Sequence, residues 1–186
     1  MDVLILCTGN ICRSPMAMGL LADRFHALGV DGVVRSAGFA TIDQPAHGHA
    51  VEVMKTRGID LGSHRSAMLD RSWLAGPQFT PDLVIAMARR HLRDAVLLDR
   101  SVWPHTFTLK ELVRRATAVG ARGRAQSMPD WVASLSAGRA LADLLGDDPR
   151  DDVADPLGKP AAAYESTARE LSDLIERFLQ LARLPG

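Results

Sequence analysis

Two cysteines in 186 residues are too few for a disulfide framework. A fold held by bridges is excluded, and each cysteine is better read for reactivity than for bridging. There is no excess of either charge: 22 basic side chains face 22 acidic ones. A protein whose main task is neutralising a phosphate backbone would carry a marked positive balance. No apolar run reaches the roughly 18 residues of a transmembrane helix. The opening Met1-Asp2-Val3-Leu4-Ile5-Leu6 has an acid ahead of a short apolar run and no basic leader, so it does not read as a signal peptide. A cytoplasmic protein is the expectation. With 47% hydrophobic residues the chain is too apolar for disorder. It is long enough for one self-sufficient core.

Strands and helices alternate. Val3-Leu4-Ile5-Leu6 reads as a buried strand ending at Thr8-Gly9-Asn10. Helical spacing follows, with Ala17, Leu20, Leu21, Phe25 and Leu28 at offsets 0, 3, 4, 8 and 11. Ser14 is positioned to cap this helix, Pro15 suits its first turn and Gly29 its end. Val33-Val34 leads a second strand into Arg35-Ser36-Ala37-Gly38, and a helix is expected from about His47 to Thr56. Ser63-His64-Arg65-Ser66 reads as the opening of a further helix through Trp73 and Leu74. Asp82 to Met87 reads as a third strand, Arg89 to Ala95 as a short helix, Thr106 to Leu109 as a fourth strand and Leu112 to Ala118 as helix. A helix is expected at about Asp130 to Leu145. Another spans about Ala161 to Arg183, where Leu171, Leu174, Ile175, Phe178, Leu181 and Ala182 form one stripe. This alternation predicts a parallel sheet with helices on both faces. Charge is uneven within the neutral total. Arg89 to Arg124 holds nine basic and three acidic residues, and Gln126 to Asp155 two basic and seven acidic. Solvated helix faces explain this, as would a basic rim for acidic substrates.

The chemistry concentrates in Cys7-Thr8-Gly9-Asn10-Ile11-Cys12-Arg13-Ser14-Pro15. A thiol sits at the carboxyl end of the first strand, where α/β folds place ligands. The loop runs into a helix N-terminus, whose free N–H groups and dipole attract an anion. Arg13 can hold two oxygens of a tetrahedral anion at once. The same positive field favours the thiolate of Cys7. An oxyanion held against a sulfur nucleophile leads to in-line attack on phosphorus and a phosphocysteine. Such a reaction needs an acid for the leaving oxygen and then a base for water. Asp155, stiffened by Pro156 just ahead of the last helix, is the best candidate, with Asp151 and Asp152 as rivals. Zinc binding by the two cysteines is disfavoured, since there is no second cysteine pair.

In these residues the chain resembles the low-molecular-weight protein tyrosine phosphatase family, whose signature is Cys-x5-Arg-Ser near the N-terminus. Arg35-Ser36-Ala37-Gly38, His64-Arg65-Ser66, the third strand and Asp155-Pro156 before a long helix resemble further family segments, in the same order. The resemblance leaves out roughly residues 117–152, which read as a helical insertion in a single domain spanning residues 1–186. It implies a flavodoxin-like three-layer α/β sandwich with a four-stranded parallel sheet in the order 2-1-3-4. It also implies roles. Cys7 is the nucleophile, Arg13 binds the phosphoryl group, and Asp155 is general acid and then base. Thr8, Gly9, Asn10, Ile11, Cys12 and Ser14 form the phosphate-binding loop, with Ser14 bonded to the nucleophile sulfur. Asn10 holds the loop through a network that includes Ser36 and His64. Cys12 resembles a second loop cysteine that can trap an oxidised Cys7 as a disulfide, although a small filler would serve there too. Ser36 and His64 also have plain structural readings. No metal or organic cofactor is implied, and the expected partner is a phosphorylated protein or small aryl phosphate.

The chain departs from members that favour phosphotyrosine, which carry aromatics at the pocket wall. Here the corresponding loop reads Phe39-Ala40-Thr41-Ile42-Asp43, and Asp155-Pro156 is followed by Leu157-Gly158. Stacking on a phenyl ring therefore depends on where Phe39 points. Three other activities use or imitate this loop. A protein-arginine phosphatase resembles Cys-Thr-Gly-Asn-Thr-Cys-Arg-Ser, and Ile11 in place of the threonine speaks against it. An arsenate reductase would need an external thiol, because no cysteine follows Cys12. A phosphate-binding module would need neither a thiolate nor an acid. The leading reading is a cysteine-dependent phosphatase for phosphotyrosine or a related aryl phosphomonoester.

Overall fold

The computed structural model describes residues 1–146 and 148–184. Four parallel strands form one sheet: β1 (Val3–Cys7), β2 (Val34–Gly38), β3 (Leu83–Ala86) and β4 (Thr106–Thr108), in the order β2-β1-β3-β4. Cys7 pairs with Gly38, Leu6 with Ala86, and Ala86 with Thr108, so the carboxyl ends of all four strands are level. Every residue of β1 is buried, as an apolar strand between two helical layers must be. Its side chains alternate between two cores. Val3, Ile5 and Cys7 face a larger core and Leu4 and Leu6 a smaller one.

The larger core is covered by α1 (Arg13–Ala27), α2 (Gly48–Lys55), α5 (Leu109–Val119), α6 (Met128–Ser136) and α7 (Ala161–Ala182). The smaller is covered by α3 (Ser72–Ala75) and α4 (Arg89–Leu98). This is the flavodoxin-like three-layer sandwich. The apolar stripe of α7 is seated as its spacing predicts: Leu171, Ile175, Phe178 and Leu181 are all buried.

Three local expectations are corrected. Ser14 does not cap α1. The cap position falls two residues earlier, at Cys12, with no side-chain cap bond, and the Ser14 hydroxyl lies 2.9 Å from Cys7 Sγ instead. The Ser63–Ser66 segment opens no helix. Ser63 closes a turn, with His64 N–H donating to Leu61 O (3.1 Å), the chain beyond is bridged from Arg65 to Pro45 and from Met68 to Gly38, and only Ser72–Ala75 is helical. Tertiary hydrogen bonds outweigh its local preference: Ser66 N–H donates to Gln44 O (2.8 Å) and Ala67 N–H to Asn10 Oδ1 (2.9 Å). The helix expected at Asp130–Leu145 is Met128–Ser136. It starts early because Ser127 Oγ accepts from the Asp130 N–H (3.2 Å). It stops because Gly138 adopts φ +75°, and a short 3-10 turn follows at Leu141–Leu144. Asp147, inside the segment read as an insertion, lies outside the described residues.

Part of the uneven charge is paired internally. Arg89 and Arg114 from the basic stretch both pair with Asp151 from the acidic one, and Arg139 pairs with Glu111 in the reverse sense. Lys110 pairs with Glu170 of α7.

Candidate active site

Cys7 ends β1 and Arg13 begins α1, so the loop between them turns over the carboxyl edge of the sheet. Its amide groups have little freedom. Asn10 takes φ +51°, in the left-handed region that few residues but asparagine and glycine enter readily. That conformation brings the Asn10 N–H to 3.2 Å from Cys7 Sγ. The Asn10 side chain is wholly buried and fully bonded. Its Nδ2 donates to Ser14 Oγ (2.9 Å) and Ser36 Oγ (2.8 Å), and its Oδ1 accepts from Ala67 N–H (2.9 Å). Its carbonyl lies 2.7 Å from His64 Nε2. A carbonyl can only accept, so this nitrogen carries the hydrogen. Burial holds the His64 pKa below its ordinary value, outweighing that hydrogen bond, and neighbouring Arg65 pushes the same way.

Gly38 is required here by close approach. A Cβ at this position would stand 2.7 Å from Thr8 O and 2.9 Å from Asn10 N, both backbone atoms. The chain leaving β2 is stitched to the loop by two amides, Phe39 N–H and Ala40 N–H, both donating to Thr8 O (2.7 and 3.0 Å). Thr41 Oγ1 donates to Gly9 O, and His47 N–H to Ile11 O at 2.8 Å.

The pocket above Cys7 has a volume of about 180 Å³. It is lined by the loop residues Cys7, Thr8, Gly9, Ile11, Cys12 and Arg13 and by Ala40, Thr41, Arg90, Asp155 and Leu157. Arg13 is 3% exposed, and its Nη2 is hydrogen-bonded to Asp155 Oδ2 while Nη1 donates to Val153 O (3.2 Å). The structure thus brings Cys7, Arg13 and Asp155 together from opposite ends of the chain. It does not bring the rival acids there. Both oxygens of Asp151 are taken by arginines, Arg114 Nη2 at 2.7 Å and Arg89 Nη1 at 3.3 Å. Asp152 Oδ1 accepts the Arg89 N–H (2.8 Å) at the start of α4. Cys12 and Cys7 are both free and buried. Burial raises the Cys12 thiol to about 11, partly offset by its contact with the Tyr164 hydroxyl at 4.0 Å. Phe39 does not line the pocket. It stacks on His91 with ring centroids 5.9 Å apart.

Sequence reasoning missed Arg90 and His91. Thr8 Oγ1 accepts from Arg90 Nη2 (2.8 Å) and lies 2.8 Å from His91 Nε2, which itself accepts from Arg90 Nε (3.2 Å). The hydroxyl proton therefore points to Nε2, and the remaining hydrogen belongs on Nδ1, which is buried without a partner. Desolvation, then the charges of Arg13 and Arg90, push His91 down to about 3. The signal was available: both residues follow a buried parallel strand, where the fold rule puts ligand-binding groups. Among the described residues no cluster of three or more His, Cys, Asp or Glu could hold a metal ion, and no helix is long and apolar enough to cross a membrane.

Residues 2–120 match the family model described as low molecular weight phosphotyrosine protein phosphatase. A protein-arginine-phosphatase of Geobacillus stearothermophilus is 32% identical over 179 residues, covering 96% of this chain and 93% of that one. A crystal structure of a low molecular weight protein tyrosine phosphatase from T. tengcongensis superposes with a TM-score of 0.71 at 37% identity, covering 97% of this chain and 98% of the other. An arginine phosphatase solved as a Cys-to-Ser mutant with a phosphorylated active-site serine gives a TM-score of 0.71 at 30% identity, covering 97% and 94%. The loop from Cys7 to Ser14, the level strand ends beneath it and these matches agree, and the chain belongs to the low molecular weight phosphotyrosine protein phosphatase family of hydrolases.

Proposed function

We propose that this chain hydrolyses phosphotyrosine or a related aryl phosphomonoester, on a protein or a small molecule, through a phosphocysteine on Cys7. The observation that carries the reading is the environment of one atom. Cys7 Sγ lies at the floor of a narrow pocket within reach of two donors, Ser14 Oγ at 2.9 Å and Asn10 N–H at 3.2 Å, with Arg13 and Asp155 beside it. In the resting arrangement the Asp155 carboxylate occupies the guanidinium that a phosphoryl group needs. Entry of substrate exchanges one oxyanion partner of Arg13 for another, and frees Asp155 for the leaving oxygen. Sulfur then attacks phosphorus in line, the P–O bond to the phenol breaks, and Asp155, which takes a proton from solvent once it leaves the guanidinium, gives that proton to the leaving oxygen. In the second step water attacks phosphorus, Asp155 takes its proton, the P–S bond breaks, and the Ser14 hydroxyl donates to the departing sulfur. Arg13 and the loop amides hold the three remaining oxygens throughout. Cys12 is the proposed resolving thiol should Cys7 be oxidised. We read residues 117–152 as an elaboration of a single domain, supported by Trp131 stacking on Phe178 of α7.

A second reading, phosphoarginine hydrolysis, is favoured by the relatives of that name that match 96% of this chain. Two features of the pocket favour the aryl ester. Ile11 contributes an apolar wall, and the Arg90 guanidinium lining the pocket would repel the guanidinium part of a phosphoarginine side chain. Parallel turnover of phosphotyrosine, phosphoserine and phosphoarginine peptides, and of arsenate with a small thiol, tests both readings, with Cys7→Ser as control. Cys7-dependent turnover highest on phosphotyrosine is expected. Turnover highest on phosphoarginine would replace the aryl reading, and thiol-dependent arsenate reduction without ester hydrolysis would replace both. Asp155→Ala is expected to cost about 10²–10⁴ in rate on a poor leaving group.

A further inference from the structure

We propose that the buried Asp151 carboxylate, clasped by Arg89 and Arg114, is a positioning group that sets where Asp155 stands over the pocket. The inference rests on Asp155 being the general acid. Residues 152–160 have no helix or strand of their own, so the place of Asp155 must be fixed by tertiary anchors. Those anchors converge just before it. Val153 is buried, and its N–H donates to Met87 O at the end of β3 (2.9 Å). Asp152 Oδ1 accepts the first amide of α4, from Arg89 (2.8 Å). Val153 O accepts from Arg13 Nη1 (3.2 Å), so the guanidinium that pairs with Asp155 also holds the segment behind it.

Asp151 ties this segment to two further elements. Its side chain is 3% exposed, one oxygen held by Arg114 of α5 (2.7 Å) and the other by Arg89 of α4 (3.3 Å). A carboxylate so deeply buried persists only with compensating partners, and removing one leaves the other charge poorly satisfied. The cluster therefore has a steep preference for one arrangement of the three elements it joins. Asp155 follows four residues later on a chain stiffened at Pro156. A shift of about 1 Å at the anchor is enough to spoil proton delivery without touching the sulfur nucleophile.

The test separates positioning from general support of the fold, because an acid matters in proportion to how poor the leaving group is. The readout is kcat/KM for aryl phosphates running from dinitrophenyl to phenyl, a quantity that reports steps up to phosphorylation of Cys7. The proteins are wild type, Asp151→Asn, Arg114→Gln, Asp155→Ala and the Asp151→Asn/Asp155→Ala double variant. Asp151→Asn is expected to lose about tenfold on phenyl phosphate and less than about twofold on the dinitrophenyl ester, and to add nothing once Asp155 is alanine. Arg114→Gln, altered at a half-exposed side chain, should show the same trend more weakly and keeps the test open if Asp151→Asn folds poorly. Equal losses across the leaving groups, or additive losses in the double variant, would overturn the proposal. If Asp155→Ala shows the leaving-group dependence and the Asp151 and Arg114 variants do not, only the clasp fails. If Asp155→Ala itself shows none, the acid assignment fails and the clasp with it.

Discussion

At the scale of single residues, the site is built from groups whose hydrogen-bonding capacity is nearly used up. Asn10 places all three of its side-chain bonds inside the loop network, so no isosteric change is neutral. Asn10→Ala is expected to lower turnover by at least about tenfold and to destabilise the fold by about 1–3 kcal/mol, since it leaves Ala67 N–H and Ser36 Oγ unmatched; activity and chemical denaturation read these separately. His91 makes a pH prediction with a definite sign. Its folded pKa is about 3, whereas an unfolded histidine titrates near 6.5. Between those values the unfolded chain binds a proton that the folded chain refuses, so stability falls as pH drops below about 6.5. The slope contributed by one such group is at most about 1.4 kcal/mol per pH unit. His64 and His105, both lowered chiefly by burial, act in the same direction. Thermal melts from pH 7.5 to 5 should show the decline, and His91→Gln should flatten it. An unchanged slope in that variant would assign the decline to other groups. Cys12 makes a redox prediction. Peroxide is expected to convert Cys7 to its sulfenic acid, and the Cys12 thiol then to form the disulfide with release of water. Because burial holds Cys12 protonated well above neutrality, disulfide formation should speed up as pH rises. Peptide mapping that finds only free or over-oxidised Cys7 would refute this.

At the scale of elements, the phosphate loop is shaped by strand register as much as by its own residues. Pairing of Cys7 with Gly38 puts the exit of β2 directly against Thr8 and Asn10. The neighbours a Cβ would strike are backbone, which cannot rotate away. Gly38→Ala is therefore expected to cost at least about tenfold in kcat/KM while sparing most of the fold's circular dichroism signal. Full activity in that variant would mean the loop tolerates a shift of its Thr8 carbonyl. The same strand exit explains why the chain from Arg65 to Met68 is not helical. This segment is recruited as a second wall for the loop, through Ala67 N–H to Asn10 and the bridge of Met68 to Gly38. A helix there would satisfy its own amides and leave Asn10 Oδ1 without a donor.

At the scale of the whole molecule, the site sits on one edge of the sheet while much of the stabilising core lies away from it. Trp131 of α6 is 1% exposed, stacks on Phe178 of α7 at 6.1 Å and donates from Nε1 to Gly120 O (3.2 Å). Trp131→Ala is expected to cost about 3–5 kcal/mol of stability, with kcat/KM nearly unchanged well below the lowered melting temperature. A large loss of activity in the folded variant would instead couple α6 to the acid segment. The neutral total charge hides an internal division, bridged at Asp151 of the acidic stretch, which pairs with Arg89 of α4 and Arg114 of α5 from the basic one. Arg90 is the member of the basic stretch that lines the pocket, its guanidinium bonded to Thr8 and His91.

The sequence by itself determined the sheet, the order of its elements, the loop from Cys7 to Arg13 and the long closing helix. Each is written locally, in an apolar run, a 3.6-residue stripe, or a thiol seven residues from the N-terminus with an arginine six further on. Only the tertiary structure decided which of three neighbouring aspartates reaches Arg13, because their surroundings come from α4 and α5, more than 35 residues away in the chain. It also decided that Phe39 turns to His91 rather than to the pocket, and that of the two uses expected for Ser14 the bond to sulfur prevails over the helix cap. In each case a polar or aromatic side chain has a local use and a distant one. The distant use prevails when it satisfies buried groups that would otherwise be left without partners.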